Sequence, residues 1–297
     1  MSGAVAAAAA SAGEGRHRAG IGYMVLGVAS LSGMDAIGKR LAVDYPVFQM
    51  LAVRSTVALA LLGLLLSVRG GLPVLRTRQP LGHAMRSLCG LVAFVCFYAA
   101  LRHMPLADAV AVAFGSPFLV TALAGVLLKE PVGGRRWLAI AVGFLGMLLV
   151  VRPGAAGLRP AALLVLASGV AYAFMMLLAR AMTRPGRPHE NTLSFVFYML
   201  AGQAAAGWLV AAGAWRSPDG PAFLAMCAMG VLGIFGNYGL AEAFRSAPVA
   251  VVAPFEYTGL IWAVLLGVVL FGDLPSASFW AGAVLIVGSG LFTLRSA

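Results

Sequence analysis

One apolar stretch, Ser246–Ser276, reads SAPVAVVAPFEYTGLIWAVLLGVVLFGDLPS and decides the fold class. The bilayer core of roughly 30 Å is crossed by about 20 helical residues at 1.5 Å rise each, so Pro248–Gly272 predicts a transmembrane helix. Glu256 lies inside this span. A carboxylate there is costly unless it is paired, protonated, hydrated or bound to a ligand, so Glu256 is a candidate functional residue.

The same pattern occurs 143 positions earlier in the chain. In both copies a proline opens an apolar helix, an acid closes it, a tryptophan follows seven residues later and an arginine ends the next apolar run. The matched pairs are Pro105 with Pro248, Glu130 with Asp273, Trp137 with Trp280 and Arg152 with Arg295. This internal repetition predicts a duplicated membrane protein.

The composition supports a membrane location. Of 297 residues, 61% are hydrophobic and only 10% are charged, whereas soluble domains have about 25% charged residues. The net charge of +11 does not indicate nucleic-acid binding, because the basic residues lie singly or in small clusters between apolar runs.

Charged and Pro/Gly clusters divide the chain into ten apolar segments. They are Ile21–Ala42, Val47–Val68, Gly82–Leu101, Ala107–Leu128, Arg136–Val151, Pro160–Ala181, Thr192–Ala214, Pro221–Phe244, Val249–Gly272 and Phe279–Leu294. We expect a disordered cytoplasmic tail at residues 1–20, a first repeat at 21–153 and a second repeat at 159–295.

Lys and Arg in the loops predict the orientation. With the N-terminus inside, thirteen of these residues are cytoplasmic and six are external, so both termini are expected in the cytoplasm. Five helices per repeat is an odd number, so the second repeat enters the membrane inverted relative to the first. Inverted repeats are typical of alternating-access carriers, with a substrate site near the midplane.

Three ionisable residues are predicted at similar depth in the outer half. Asp35 and Lys39 lie four residues apart on one face of the first helix, and Arg54 comes from the second. Asp35 can pair with either base, which would offset part of the cost of burying these charges. We expect the three residues to form an outer gate that opens and closes during transport.

A second polar group is predicted in the inner half. Its members are Arg86, Asn237 and Tyr238, Glu242, and Glu256 and Tyr257. Arg86 either snorkels to the headgroups or joins an ion pair. Glu256 either has a buried structural partner or interacts with a solute or a proton. The second interpretation is favoured.

Weaker cavity candidates are Ser116 in the fourth helix and Tyr172 in the sixth, although an aromatic residue at helical spacing more often serves packing. Glycines recur every third residue in the eighth helix, at Gly230, Gly233, Gly236 and Gly239. Tight helix packing is the favoured interpretation of this stripe, with a cavity wall as the alternative.

The segment from Pro105 to Val151 and its second copy APFEYTGLIWAVLLGVVLFGDLP resemble the two EamA repeats of the drug/metabolite transporter superfamily. The resemblance covers the chain from about Gly20 to Arg295. It implies an all-α membrane protein with ten transmembrane helices in two inverted five-helix EamA repeats. It also implies a carrier in the bacterial inner membrane for a small organic metabolite.

The expected solute is an amino acid or related compound, moved by export. The alternative is an uptake carrier for a vitamin or nucleoside-like metabolite such as riboflavin or S-adenosylmethionine, which the GMDAIGK and FEYTGLIWA stretches resemble somewhat more. A non-transporting membrane scaffold is a remote alternative.

An enzyme is disfavoured because HExxH, GxSxG and Asp-rich metal boxes are missing from the sequence. No catalytic residue, metal site or cofactor is expected. The expected partners are a small-molecule solute and the lipid bilayer, without nucleic acid; a homodimer is left open.

Overall fold

The computed structural model describes residues 2–69, 71–127, 133–152, 160–184, 186–188 and 190–295. Within these ranges the secondary structure is helical and contains no strand, which confirms the all-α prediction. In chain order the α-helices are α1 Ser2–Ala42, α2 Val47–Arg69, α3 Pro80–Leu101, α4 Leu106–Ala113, α5 Ser116–Leu127, α6 Gly134–Val151, α7 Pro160–Met182, α8 Thr192–Ala211, α9 Gly220–Ser246, α10 Val249–Val252, α11 Thr258–Phe271 and α12 Ala277–Arg295. Short 3₁₀ segments occur at Leu72–Leu75 and Ala253–Tyr257.

The described helices form nine stretches that are long and apolar enough to cross a membrane, and Ala277–Thr293 adds a shorter apolar helix. Two of the nine are composite. Leu106–Leu127 joins α4 to α5, and Val249–Phe271 joins α10, the 3₁₀ segment and α11. The prediction of ten membrane helices is therefore confirmed.

Helix pairing follows the duplication. The most extensive contacts pair α1 with α9, α3 with α7, α6 with α12, and α2 with α8. Exchanging the two repeats turns the α1–α9 pair into the α7–α3 pair and maps the α2–α8 and α6–α12 pairs onto themselves. The ten spans thus form a bundle with an approximate two-fold axis between the repeats.

Side-chain contacts show which loops lie at the same end of the bundle. At one end Lys39 pairs with Asp273, and Gln49 bonds to the backbone of Arg216. At the other end Glu190 accepts a hydrogen bond from Thr77. The loop between α1 and α2 and its counterpart before α8 are therefore at opposite ends, as the inverted arrangement requires.

The fourth and ninth spans are interrupted near the bundle centre. The fourth breaks at Phe114, between α4 and α5, and the ninth breaks at Ala253–Tyr257. Pro105 and Pro248 open these spans with the same dihedral angles, φ −56° and ψ 144°. In the ninth span Pro254 supplies a reason for the break, because it lacks a backbone N–H and its ring clashes with a preceding carbonyl.

The glycine stripe of α9 packs against α1. A Cβ on Gly236 would lie 3.0 Å from the carbonyl oxygen of Gly27, and a Cβ on Gly27 would lie 2.9 Å from that of Gly236. Only glycine permits this approach of two backbones. The contact agrees with the interpretation of the stripe as helix packing.

The first helix begins earlier than the sequence analysis expects. The structure continues α1 back to Ser2, through the segment interpreted as a disordered tail. The stretch from Ala6 to Ala10 consists of alanine, the strongest helix former, which explains the extension.

Candidate functional site

A cavity of about 460 Å³ lies inside the bundle. Residues from both repeats line it, and they come from α1, α3, the fourth span, α7, α8, α9 and the ninth span. Its volume falls in the range of roughly 300–1,000 Å³ that is usual for small-molecule sites. A second cavity of about 360 Å³, lined by Arg16, His17 and residues 244–248, lies at one end of the bundle and away from the buried polar groups.

Four of the six predicted solute-binding residues line the central cavity, and two do not. Glu256, Asn237, Ser116 and Tyr172 are among its lining residues. Tyr257 instead packs against Phe114, with ring centroids 5.3 Å apart and the ring planes tilted by 31°. Tyr238 is 47% exposed on the outer side of α9.

Glu256 lies in the 3₁₀ segment of the ninth span and is half-buried. Within the described ranges no side chain or backbone group donates a hydrogen bond to its carboxylate. Asn237, by contrast, donates through its Nδ2 to the carbonyl oxygen of Gly233 at 2.7 Å, which fixes the side chain. The carboxylate of Glu256 is therefore available to a ligand or a proton.

The three residues of the predicted gate have separate partners. Asp35 lines the cavity and accepts a hydrogen bond from the hydroxyl of Tyr98 at 2.8 Å. Lys39 pairs with Asp273 and lies 4.6 Å from the ring centroid of Phe271. Lys39 therefore does not form the pair with Asp35 that helical spacing suggests, because its side chain extends past the end of α1 to the second repeat.

Arg54 is buried directly behind the cavity wall. Its Nη2 donates to Gln203 Oε1 at 3.0 Å, its Nη1 contacts Met34 Sδ at 3.4 Å, and its guanidinium carbon lies 4.5 Å from the Phe94 ring centroid. All three partners line the cavity. Its Nε has no acceptor in the described part of the chain.

The remaining predicted ion-pair residues are outside the cavity. Arg86 is buried in α3 and donates to the carbonyl oxygen of Phe195 at 2.8 Å, so it joins α3 to α8 and does not snorkel. Glu242 pairs with Arg245 one turn away, at 2.6 Å between Oε1 and Nη2.

Sequence reasoning missed Gln203, Tyr98 and Phe94, although each lines the cavity. A signal for Gln203 was present. Residues 47–54 read VFQMLAVR and residues 196–203 read VFYMLAGQ, with five of eight positions identical. Arg54 and Gln203 hold the same position in this second pair of matching segments.

A cavity lined by both duplicated halves of a ten-helix membrane bundle defines the class of the protein, which is a multi-pass membrane transporter. The chain belongs to the EamA-like transporter family, which it matches over residues 18–152 and 159–295. This membership confirms the resemblance seen in the sequence.

Named relatives differ in solute and direction. A riboflavin transporter of Rhizobium johnstonii is 31% identical over 77% of this chain and 74% of its own. An S-adenosylmethionine uptake transporter of Rickettsia conorii is 26% identical over 93% of this chain and 92% of its own. A pseudopaline exporter of Pseudomonas aeruginosa is 29% identical over 91% and 94%.

The fold also agrees with a solved crystal structure of 22% sequence identity. The superposition has a TM-score of 0.61 and covers 93% of this chain and 97% of the other. At this identity the likeness concerns the fold alone.

Proposed function

We propose that the protein takes up a small metabolite with a flat ring system and a positively charged or hydrogen-donating group, by alternating access. Riboflavin and S-adenosylmethionine represent this class. The relatives described above are named for riboflavin, S-adenosylmethionine and pseudopaline. The amino-acid solute expected from the sequence gains no support from these names, and the vitamin or nucleoside-like alternative fits them better.

The observation that carries the proposal is a cavity lining that combines aromatic rings with polar side chains. The first repeat supplies four aromatic rings, Phe94, Phe97, Tyr98 and Phe114. The second repeat supplies Glu256, Asn237 and Gln203, with Tyr172 as its one aromatic ring in the lining. A flat solute stacks well on aromatic faces, and rings also attract cations.

Glu256 supports the charge preference. A charged side chain within a span costs on the order of 2.5–3.5 kcal/mol on insertion scales unless something compensates it. The described residues give this carboxylate no hydrogen-bond donor. A solute ammonium, sulfonium or N–H group would supply the missing compensation.

The outer gate is proposed in a modified form. Lys39 and Asp273 connect the end of α1 in the first repeat to the end of α11 in the second. Asp35 and Arg54 lie deeper, next to the cavity. We assign closure of the outer end to the Lys39–Asp273 pair and contact with the solute to Asp35.

The test is uptake of radiolabelled riboflavin and S-adenosylmethionine into proteoliposomes, with protein-free liposomes as the control. We expect saturable uptake of at least one of them, inhibited by unlabelled compound and not by a panel of proteinogenic amino acids. Saturable uptake of an amino acid, with neither labelled metabolite taken up, would contradict the proposed solute class.

A further inference from the structure

The approximate two-fold axis passes between two residues that differ in chemistry. Arg54 and Gln203 occupy the same position of the two repeats and are hydrogen-bonded to each other at 3.0 Å. Both are buried, with 8% and 3% exposure. Only Gln203 is part of the cavity lining.

The surroundings of the two residues are matched. A Cβ at Gly90 would lie 3.1 Å from Met175 Sδ and 3.6 Å from Gln203 Nε2. A Cβ at Gly233, which is 143 positions later, would lie 3.1 Å from Met34 Sδ and 3.3 Å from Arg54 Nη1. The duplication therefore preserved the pocket around each side chain while the side chain itself changed.

The hydrogen bond fixes the orientation of the Gln203 amide. A guanidinium has donors only, so the amide oxygen must face Arg54 and the NH₂ group must face away from it. One amide hydrogen is donated to the carbonyl oxygen of Gly90 at 3.3 Å. The second hydrogen has no acceptor among the described residues.

We infer that Gln203 is a specificity-determining residue, whose free N–H donates a hydrogen bond to a carbonyl oxygen or ring nitrogen of the solute. Arg54 is its positioning residue, because it holds the amide in the orientation that presents this donor. The inference rests on the proposed function and specifies which group of the solute Gln203 recognises. The solute then needs an acceptor on its flat ring system in addition to the group that meets Glu256.

The experiment measures KM and maximal rate for riboflavin and S-adenosylmethionine in proteoliposomes. Gln203→Met keeps the size of the side chain and removes the donor. We expect KM for the transported probe to rise on the order of tenfold, as for the loss of one buried hydrogen bond, with an unchanged maximal rate. Gln49→Met is the matched control, because Gln49 is a fully buried glutamine that bonds to the backbone of Arg216 at one end of the bundle.

A double-mutant cycle tests the role of Arg54. Arg54→Met frees the amide to rotate and should raise KM, whereas Arg54→Lys retains a donor and should leave KM within about twofold of wild type. In the Gln203→Met background, Arg54→Met should have no further effect on KM. A structural role alone would instead lower the yield of monodisperse protein and leave KM unchanged.

The experiment distinguishes failure of this inference from failure of the proposed function. If wild-type protein transports a probe and Gln203→Met transports it with an unchanged KM, or if the effects of Arg54→Met and Gln203→Met on KM are additive, the inference is wrong while the proposed function stands. If wild-type protein transports neither probe, the proposed solute class is wrong and the inference is overturned with it.

Discussion

We expect solute recognition to depend most on Glu256. It lines the cavity and receives no hydrogen bond from the described residues. We expect Glu256→Gln to raise KM for a cationic solute by tenfold or more while dependence on a pH gradient is retained. If Glu256 instead carries a proton, the substitution abolishes the gradient dependence. Unchanged KM and unchanged pH dependence in proteoliposomes would show that the residue is structural.

A second prediction at the residue scale concerns the stability that Glu190 contributes. Burial alone would raise the pKa of Glu190, but hydrogen bonds from His83, Thr77 and the backbone N–H of Arg78 together lower the pKa below its ordinary value. The ionised carboxylate therefore stabilises the contact between the loop after α2 and the loop before α8. This stabilisation is present above the unfolded-state pKa of about 4.3 and is lost as the pH falls through the lower folded-state pKa.

The measurement is the apparent Tm of detergent-solubilised protein between pH 8 and pH 3. Glu190→Gln should lower the free energy of unfolding by about 1–3 kcal/mol near neutral pH, because the donors lose a charged acceptor, and the loss should shrink in acid. Asp44→Asn, which removes an exposed partner of Arg40, is the control and should have little effect. A Tm difference that is the same at every pH would contradict the assignment.

Helix geometry explains which predicted site residues were misplaced. Successive residues of a helix point about 100° apart, so the neighbour of a cavity-lining residue faces the same cavity only at some rotations of the helix. Once Glu256 and Asn237 face the cavity, Tyr257 and Tyr238 point elsewhere. The rotation of each helix about its axis depends on tertiary packing, which the local sequence pattern does not determine.

At the scale of elements, the ends of α1 and α11 are joined by one ion pair. The side chains of Lys39 and Asp273 are 13% and 25% exposed, and the pair connects the two repeats. Breaking it should cost about 1–3 kcal/mol, between the values for exposed and fully buried pairs. If the pair closes the outer end of the cavity, breaking it should destabilise only the state in which that end is closed.

Charge reversal tests the pair directly. We expect Lys39→Asp and Asp273→Lys to reduce the maximal transport rate several-fold each, and the double swap to restore most of it. Arg40→Gln, which affects a pair within the first repeat at the same end, serves as the control. Single variants that transport at the wild-type rate, or a swap no better than the singles, would show that the pair is not a gate.

The partner of Lys39 illustrates what the sequence leaves undetermined at this scale. Spacing of four residues identifies Asp35 as a neighbour of Lys39, because local helix geometry is regular. Asp273 is 234 residues away, and its contact with Lys39 exists only after the repeats have packed. The break in the ninth span, by contrast, has a local signal in the sequence, since Pro254 lies within it.

At the scale of the whole molecule, the charge bias predicts the orientation in the membrane. Both termini and the loop from residue 180 to 190 should be cytoplasmic, and the turn from Asp273 to Ser278 should be external. In a background without Cys89, Cys96 and Cys227, we expect an impermeant thiol reagent to label Leu274→Cys in intact cells and not Arg187→Cys. Labelling of Arg187→Cys but not Leu274→Cys would contradict this orientation.

Alternating access itself is tested most directly by solute counterflow. Proteoliposomes loaded with excess unlabelled riboflavin or S-adenosylmethionine are diluted into a trace of the same labelled compound, without ATP or an imposed ion gradient. A carrier that exposes one cavity to each side in turn should accumulate label transiently above its equilibrium level, and the overshoot should disappear without internal solute. Label that enters only to equilibrium, at the same rate with and without internal solute, would contradict a carrier mechanism.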